Sequence, residues 1–170
     1  MRLFCNTMRM NATNKKIGEI LQQRDDYKVG AVFSNRGDEY LSVQFQLPDG
    51  TVNHPIIIHA VDLEDGPALR ICDLRAAKFH DANCARRFCE EANAALFAGC
   101  FIVAKENPQV VTYLSHHLLP TLCPHPTVLN RAVDRALHAL EFCRDIAATI
   151  ERAQSRERGW TSTGSDPALN

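Results

Sequence analysis

Tyr40-Leu41-Ser42-Val43-Gln44-Phe45-Gln46-Leu47 alternates strictly between apolar and polar side chains. That is the period of an extended strand with one face on a core and the other toward water or a partner. Leu41, Val43, Phe45 and Leu47 form the inward set, and Tyr40, Ser42, Gln44 and Gln46 the outward one. A half-buried strand of this kind belongs to an antiparallel sheet, whose neighbours are joined by short turns. Turn chemistry stands on both sides, Asn35-Arg36-Gly37-Asp38 before and Pro48-Asp49-Gly50 after. Working outward, strands are read at residues 29–33, 40–47, 56–61 and 68–74, with Glu64-Asp65-Gly66 turning the chain between the last two.

The period then changes. Cys84, Ala85, Phe88, Ala92, Ala95 and Leu96 share one face of a helix that is capped by Asp81 and stops before Gly99. Residues 100–104 and 109–114 form a further hairpin around Lys105-Glu106-Asn107-Pro108. Past Pro120, Pro124 and Pro126, Thr127 is read as the cap of a long helix that runs to Arg152. Along it Leu129, Val133, Ala136, Leu140, Cys143, Ala147 and Ile150 recur every four and three residues, a seam about 40 Å long at 1.5 Å per residue. Near the start, Ile17, Ile20 and Leu21 mark a short helix over 14–24 behind a Thr13/Asn14 cap.

The expected fold is therefore α+β: an antiparallel sheet of five to six strands with three helices, in the order α-ββββ-α-ββ-α. Strands grouped by hairpins argue against a doubly wound parallel sheet. Residues 14–152 are expected to form one domain, with 1–13 a flexible N-terminal segment and 153–170 a disordered tail that leaves Trp160 outside the fold. The seam must be covered, either by the sheet or by a second copy, so Leu129, Val133, Leu140 and Cys143 are core or dimer residues.

Charge and composition narrow the function. The 170 residues carry 19 Lys+Arg against 20 Asp+Glu and are 45% hydrophobic, which excludes a disordered chain and lacks the basic footprint of a nucleic-acid binder. A domain of this size buries about 70% of its unfolded surface, so its core needs no metal or disulfide staple. Seven cysteines, an odd number at irregular spacing, do not make a disulfide framework and fit a reducing compartment. No run matches a signal peptide or a membrane span, and a cytoplasmic protein without membrane contact is expected.

His116, His117, Cys123 and His125 offer four zinc donors within ten residues. Their spacing matches no zinc pattern, and two adjacent strand residues point to opposite sides. They are read as loop imidazoles and one packed thiol. Cys84 and Cys89 lie about 140° apart around a helix and cannot share an ion. His80, at or before the helix cap, is assigned to capping or solvent. No Gly-x-Gly-x-x-Gly, P-loop, Gly-x-Ser-x-Gly or paired carboxylate stands in the chain, so no catalytic residue, metal ligand or cofactor is assigned. The mixed-sign face Arg131, Asp134, Arg135, Glu141, Arg144 and Asp145 serves solubility. What remains is a partner-binding set on the outward sheet face: Tyr40, Gln44 and Gln46, with Ile57 and His59 on the neighbouring strand.

Asn93-Ala94-Ala95-Leu96-Phe97-Ala98-Gly99-Cys100-Phe101, followed by Val111-Thr112-Tyr113-Leu114-Ser115 and a long last helix, resembles the YbjN-type bacterial sensory transduction regulator family. More broadly, residues 14–152 resemble the type III secretion chaperone-like fold. The resemblance implies a non-enzymatic homodimer whose surface binds another protein or a peptide segment, as a chaperone or a regulator. Secretion chaperones are markedly acidic and this chain is not, so the binding or regulatory role transfers better than secretion. The competing class is a Cys/His-dependent metal or redox sensor, and a third is an enzyme whose site is assembled from distant residues.

Overall fold

The protein is described by a computed structural model covering residues 2–25, 27–35, 38–45, 55–122 and 124–161. Its elements are α1 (Arg2–Leu21), β1 (Tyr27–Asn35), β2 (Asp38–Phe45), β3 (Ile56–Leu63), β4 (Gly66–Lys78), α2 (Ala82–Ala95), β5 (Cys100–Val103), β6 (Val110–Leu118) and α3 (Pro126–Thr161). The strands form one antiparallel sheet in the order β1-β2-β3-β4-β6-β5. The expected α+β architecture and its element order are what the chain adopts.

Alternation decides the two faces of the sheet. Leu41, Val43, Ile56, Ile58, Ala60, Leu69, Ile71, Val111 and Tyr113 are buried and belong to one core cluster with Ile17 and Leu21 of α1, Phe88 of α2 and Leu129 of α3. All three helices thus lie on the same face, and the molecule has two layers. Four rings tie the α2 end of that core together: Phe79 to Phe88, Phe88 to Phe101 and Phe101 to Tyr113, with centroids 5.2, 5.1 and 5.1 Å apart.

Local chemistry sets the turns. Glu64 and Asp65 join β3 to β4, and Gly66 follows at φ 117°, a value that L side chains rarely adopt. Asp81 caps α2: its carboxylate accepts from Cys84 N at 2.9 Å, as expected. At the other end Asn93 acts as a surrogate strand, donating to Phe101 O at 2.9 Å and accepting from Phe101 N at 2.7 Å. Gly99, at φ 81°, turns the chain between them.

The helix limits differ from the sequence reading. α1 begins at Arg2, so the segment expected to be flexible over 1–13 is helical from residue 2, and Thr13 and Asn14 lie inside the helix. They cap nothing: both are buried, and Asn14 Oδ1 accepts from Ala60 N, just past the last β2–β3 pair, Leu41 with Ile58. α3 starts at Pro126 with His125 as its cap; Thr127 N meets His125 Nδ1 at 3.3 Å, and His125 O accepts from Val128 N and Leu129 N. Proline at the first helical position places the cap two residues earlier than Thr127. The same helix runs to Thr161, nine residues beyond the expected end, because the polar stretch after Arg152 is rich in Arg, Glu, Gln and Ala, all good helix formers. The side chain of Trp160 and residues 162–170 lie outside the described residues, as does the Pro48-Asp49-Gly50 turn.

Candidate functional site

Among the described residues, nothing covers the face of the sheet opposite the helices. Register carries one row across five strands, Ser42, Ile57, Cys72, Leu114 and Cys100, all of them partly accessible. The next row holds His59, Arg70 and His116 in register, and the Tyr40 ring tilts against His59 with centroids 5.7 Å apart. Around these rows Leu118, Leu74 and Ile102 stand 60, 56 and 47% exposed. Together they make a broad apolar stripe bordered by imidazoles and a guanidinium.

The structure brings most of the expected partner set together. Tyr40, Gln44, Ile57 and His59 share the open face and are partly exposed; Gln46 lies outside the described residues. The exposed leucines and Ile102 were not in that set. Their signal was present in the alternation of β4, β5 and β6, with Leu118 reached once β6 is read to its full length.

A second apolar surface lies where α2 ends. Ala95, Leu96, Phe97, Ala98, Ala139 and Phe142, with Arg135 and His138, line a groove of about 750 Å³ between that end and α3. Phe97 is fully exposed and Phe142 half exposed. The seam residues take the other side of α3: Leu129, Val133, Leu140 and Cys143 are buried in the chain's own core. Of the two roles the periodicity left open, core is the one they fill.

The three described members of the His116, His117, Cys123 and His125 cluster do not converge. His116 accepts from Arg70 Nε at 2.9 Å on the open face, His117 lies 3.2 Å from Ser115 Oγ on the helix side, and His125 caps α3. Cys123 is outside the described residues. Burial, and then Arg70, hold His116 below the usual imidazole range; burial, and then Arg135, do the same for His117.

Three of the described thiols are not poised for nucleophilic work. Burial pushes Cys89 and Cys143 up to about 11, and raises Cys72 as well, so all three stay protonated near neutrality. No disulfide joins the described cysteines. At the α2 cap, His80 Nε2 sits 2.9 Å from Asp81 Oδ2, and the backbone hydrogen bond from Cys84 holds the Asp81 carboxyl down at about 2. His80 therefore does more than face solvent: it pairs with the capping residue.

Among the described residues no helix is long and apolar enough to cross a membrane. No protein-family model, curated protein or solved structure matches this chain.

Proposed function

We propose that this is a non-enzymatic protein-binding module, chaperone-like or regulatory, that acts as a homodimer and grips a segment of another polypeptide on its open sheet face. The observation that carries the reading is the mostly apolar five-strand row from Ser42 to Cys100, left bare among the described residues by helices that all pack on the opposite side. The Tyr40, His59, Arg70 and His116 row beside it supplies the polar contacts that set orientation and register. The homodimer is assigned to the groove at the end of α2, where Phe97 projects fully into solvent beside small residues able to receive its counterpart. The resemblance to YbjN-type regulators and secretion chaperones, and a near-balanced charge that disfavours nucleic acid, support the same reading.

The test is affinity capture from the native host with wild type and with Leu118→Glu or Leu74→Glu, two exposed positions where a charge leaves the core intact. A client recovered by wild type and lost by both variants supports the reading. Identical recovery by all three proteins refutes the sheet face as the binding surface.

A further inference from the structure

At the start of α2 three different donor types face one another. His80 Nε2 lies 2.9 Å and Cys84 Sγ 3.4 Å from Asp81 Oδ2, and the three ligand atoms all fall within 4.8 Å of one another. Imidazole nitrogen, thiol sulfur and carboxylate oxygen are the donors that zinc takes, and bond lengths of about 2.0–2.3 Å put neighbouring donors of a tetrahedron about 3.3–3.8 Å apart. The observed spacing needs only small side-chain rotations to reach that figure. The remaining Asp81 oxygen, Oδ1, is engaged by Cys84 N at 2.9 Å and keeps the carboxylate aimed. The His80 backbone is pinned from the other side by Gln109, whose Nε2 donates to His80 O at 2.7 Å.

A second observation comes from a distant part of the chain. Gln154 of α3 places its amide nitrogen 3.2 Å from the same Asp81 Oδ2. Its Oε1 is shut off from solvent and has no hydrogen-bond partner among the described residues. A half-turn of the amide puts its oxygen in the nitrogen's place, about 3.2 Å from Asp81 Oδ2 and beside the donor set, in exchange for the hydrogen bond that the nitrogen now makes.

We infer that His80, Asp81, Cys84 and Gln154 form a binding site for a zinc-class divalent ion, which clips the start of α2 to the last third of α3. The site does not rest on the protein-binding reading and lies apart from the open sheet face. Ion binding transfers no electrons: the Cys84 thiol proton leaves to solvent, and a sulfur–metal bond replaces the sulfur–carboxylate hydrogen bond. Cys84 is 2% exposed whereas the His80 side chain is 37% exposed, so the ion enters from the His80 side.

The test uses the full chain without an affinity tag, stripped with a chelator and titrated with cobalt(II) and then zinc. One equivalent of cobalt with a sulfur-to-metal charge-transfer absorption, displaced by zinc, is expected. His80→Ala and Cys84→Ser, checked for retained fold by circular dichroism, should abolish that band, and Gln154→Leu should weaken binding roughly ten- to hundredfold. No uptake at micromolar metal, or a band that survives His80→Ala, overturns the site. Binding unaffected by Gln154→Leu overturns the clip. None of these outcomes alters client capture by the sheet face, so the two proposals fail separately.

Discussion

Arg70 Nε donates a hydrogen bond to His116 Nε2 at 2.9 Å, across the β4–β6 pair in which the two residues stand in register. A guanidinium has no acceptor atom, so Nε2 must present its lone pair and the imidazole is neutral with its proton on Nδ1. Partial burial, and then the Arg70 charge, lower the His116 pKa for the same reason. The open face therefore keeps Arg70 as the fixed charge of this pair near neutral pH.

Replacing Arg70 by Gln should raise the His116 pKa toward its ordinary value, read by an NMR titration of the imidazole carbon-bound protons. The stability consequence has a definite sign. A histidine whose folded pKa lies below the unfolded value, about 6.5, takes up its proton first in the unfolded chain. Its contribution is intact above that pH and declines as pH falls from there toward the lowered folded value. Arg70→Gln should make that acid-side decline shallower, with His117 still contributing in the same direction. An unchanged His116 titration in the variant would refute the contact.

Gly99→Ala should be strongly destabilising. The residue sits at φ 81°, and an added Cβ would meet Tyr113 Oη at 2.6 Å and its ring carbons at 2.8 Å. The ring is packed against Phe101 and only 1% exposed, so it has little room to yield. The left-handed backbone alone costs about 1–2 kcal/mol, and the overlap adds to it. A fall in melting temperature of roughly 4–8 °C or more is expected by calorimetry. A drop below that range would mean that the α2–β5 turn relaxes easily.

Asn93 carries the other half of that turn. Asn93→Ala removes both hydrogen bonds to the Phe101 backbone at the sheet edge, a loss of about 1–3 kcal/mol. Asn93→Asp should be worse, because a carboxylate oxygen then faces Phe101 O. Hydrogen exchange of the Phe101 amide reports this locally: protection should collapse in both variants, and retained protection would count against the bidentate role.

The strands were legible because alternation is a local signal: Leu41 and Val43 inward, Tyr40 and Gln44 outward, could be read without knowing their neighbours. The ends of α1 and α3 were not, since residues such as Gln154 and Ser155 favour helix without adding an apolar period. The Asp81 cap was readable from residue type, whereas His125 was hidden by a better-looking Thr127 until Pro126 is taken as the first helical residue. The open-face set followed from the period of two strands. Arg70 with His116, Asn93 with Phe101 and Asp81 with Gln154 depend on register or on packing between elements 8 to 73 residues apart. No local pattern encodes those meetings.

Leu140→Asp tests the placement of α3. Leu140 is 8% exposed in the core cluster, on the helix face turned toward the rest of the chain. Truncating such a leucine costs about 2–5 kcal/mol before any charge is buried, and an unpaired carboxylate adds to that. Against a typical total of about 5–15 kcal/mol, the variant should be unfolded or molten by circular dichroism at room temperature. A folded variant with an unchanged melting point would place the α3 seam outside the core.

Phe97→Ser addresses the opposite face of the same helical layer. Because Phe97 is fully exposed and makes no part of the core cluster, its removal should leave the melting temperature of the isolated subunit nearly unchanged. If its ring anchors a second copy in the groove beside Phe142, light scattering should show a dimer in wild type and a monomer in the variant, with association weakened by about 1–4 kcal/mol of contact energy. Arg135→Ala, at the polar lining of the groove, should shift the same equilibrium less and in a salt-dependent way. The dimer should also ignore dithiothreitol, because the described cysteines carry no disulfide and Cys143 is buried on the far side of α3. A wild-type monomer at high concentration, or a dimer that persists in Phe97→Ser, would remove this groove as the self-association surface while leaving the sheet face untouched.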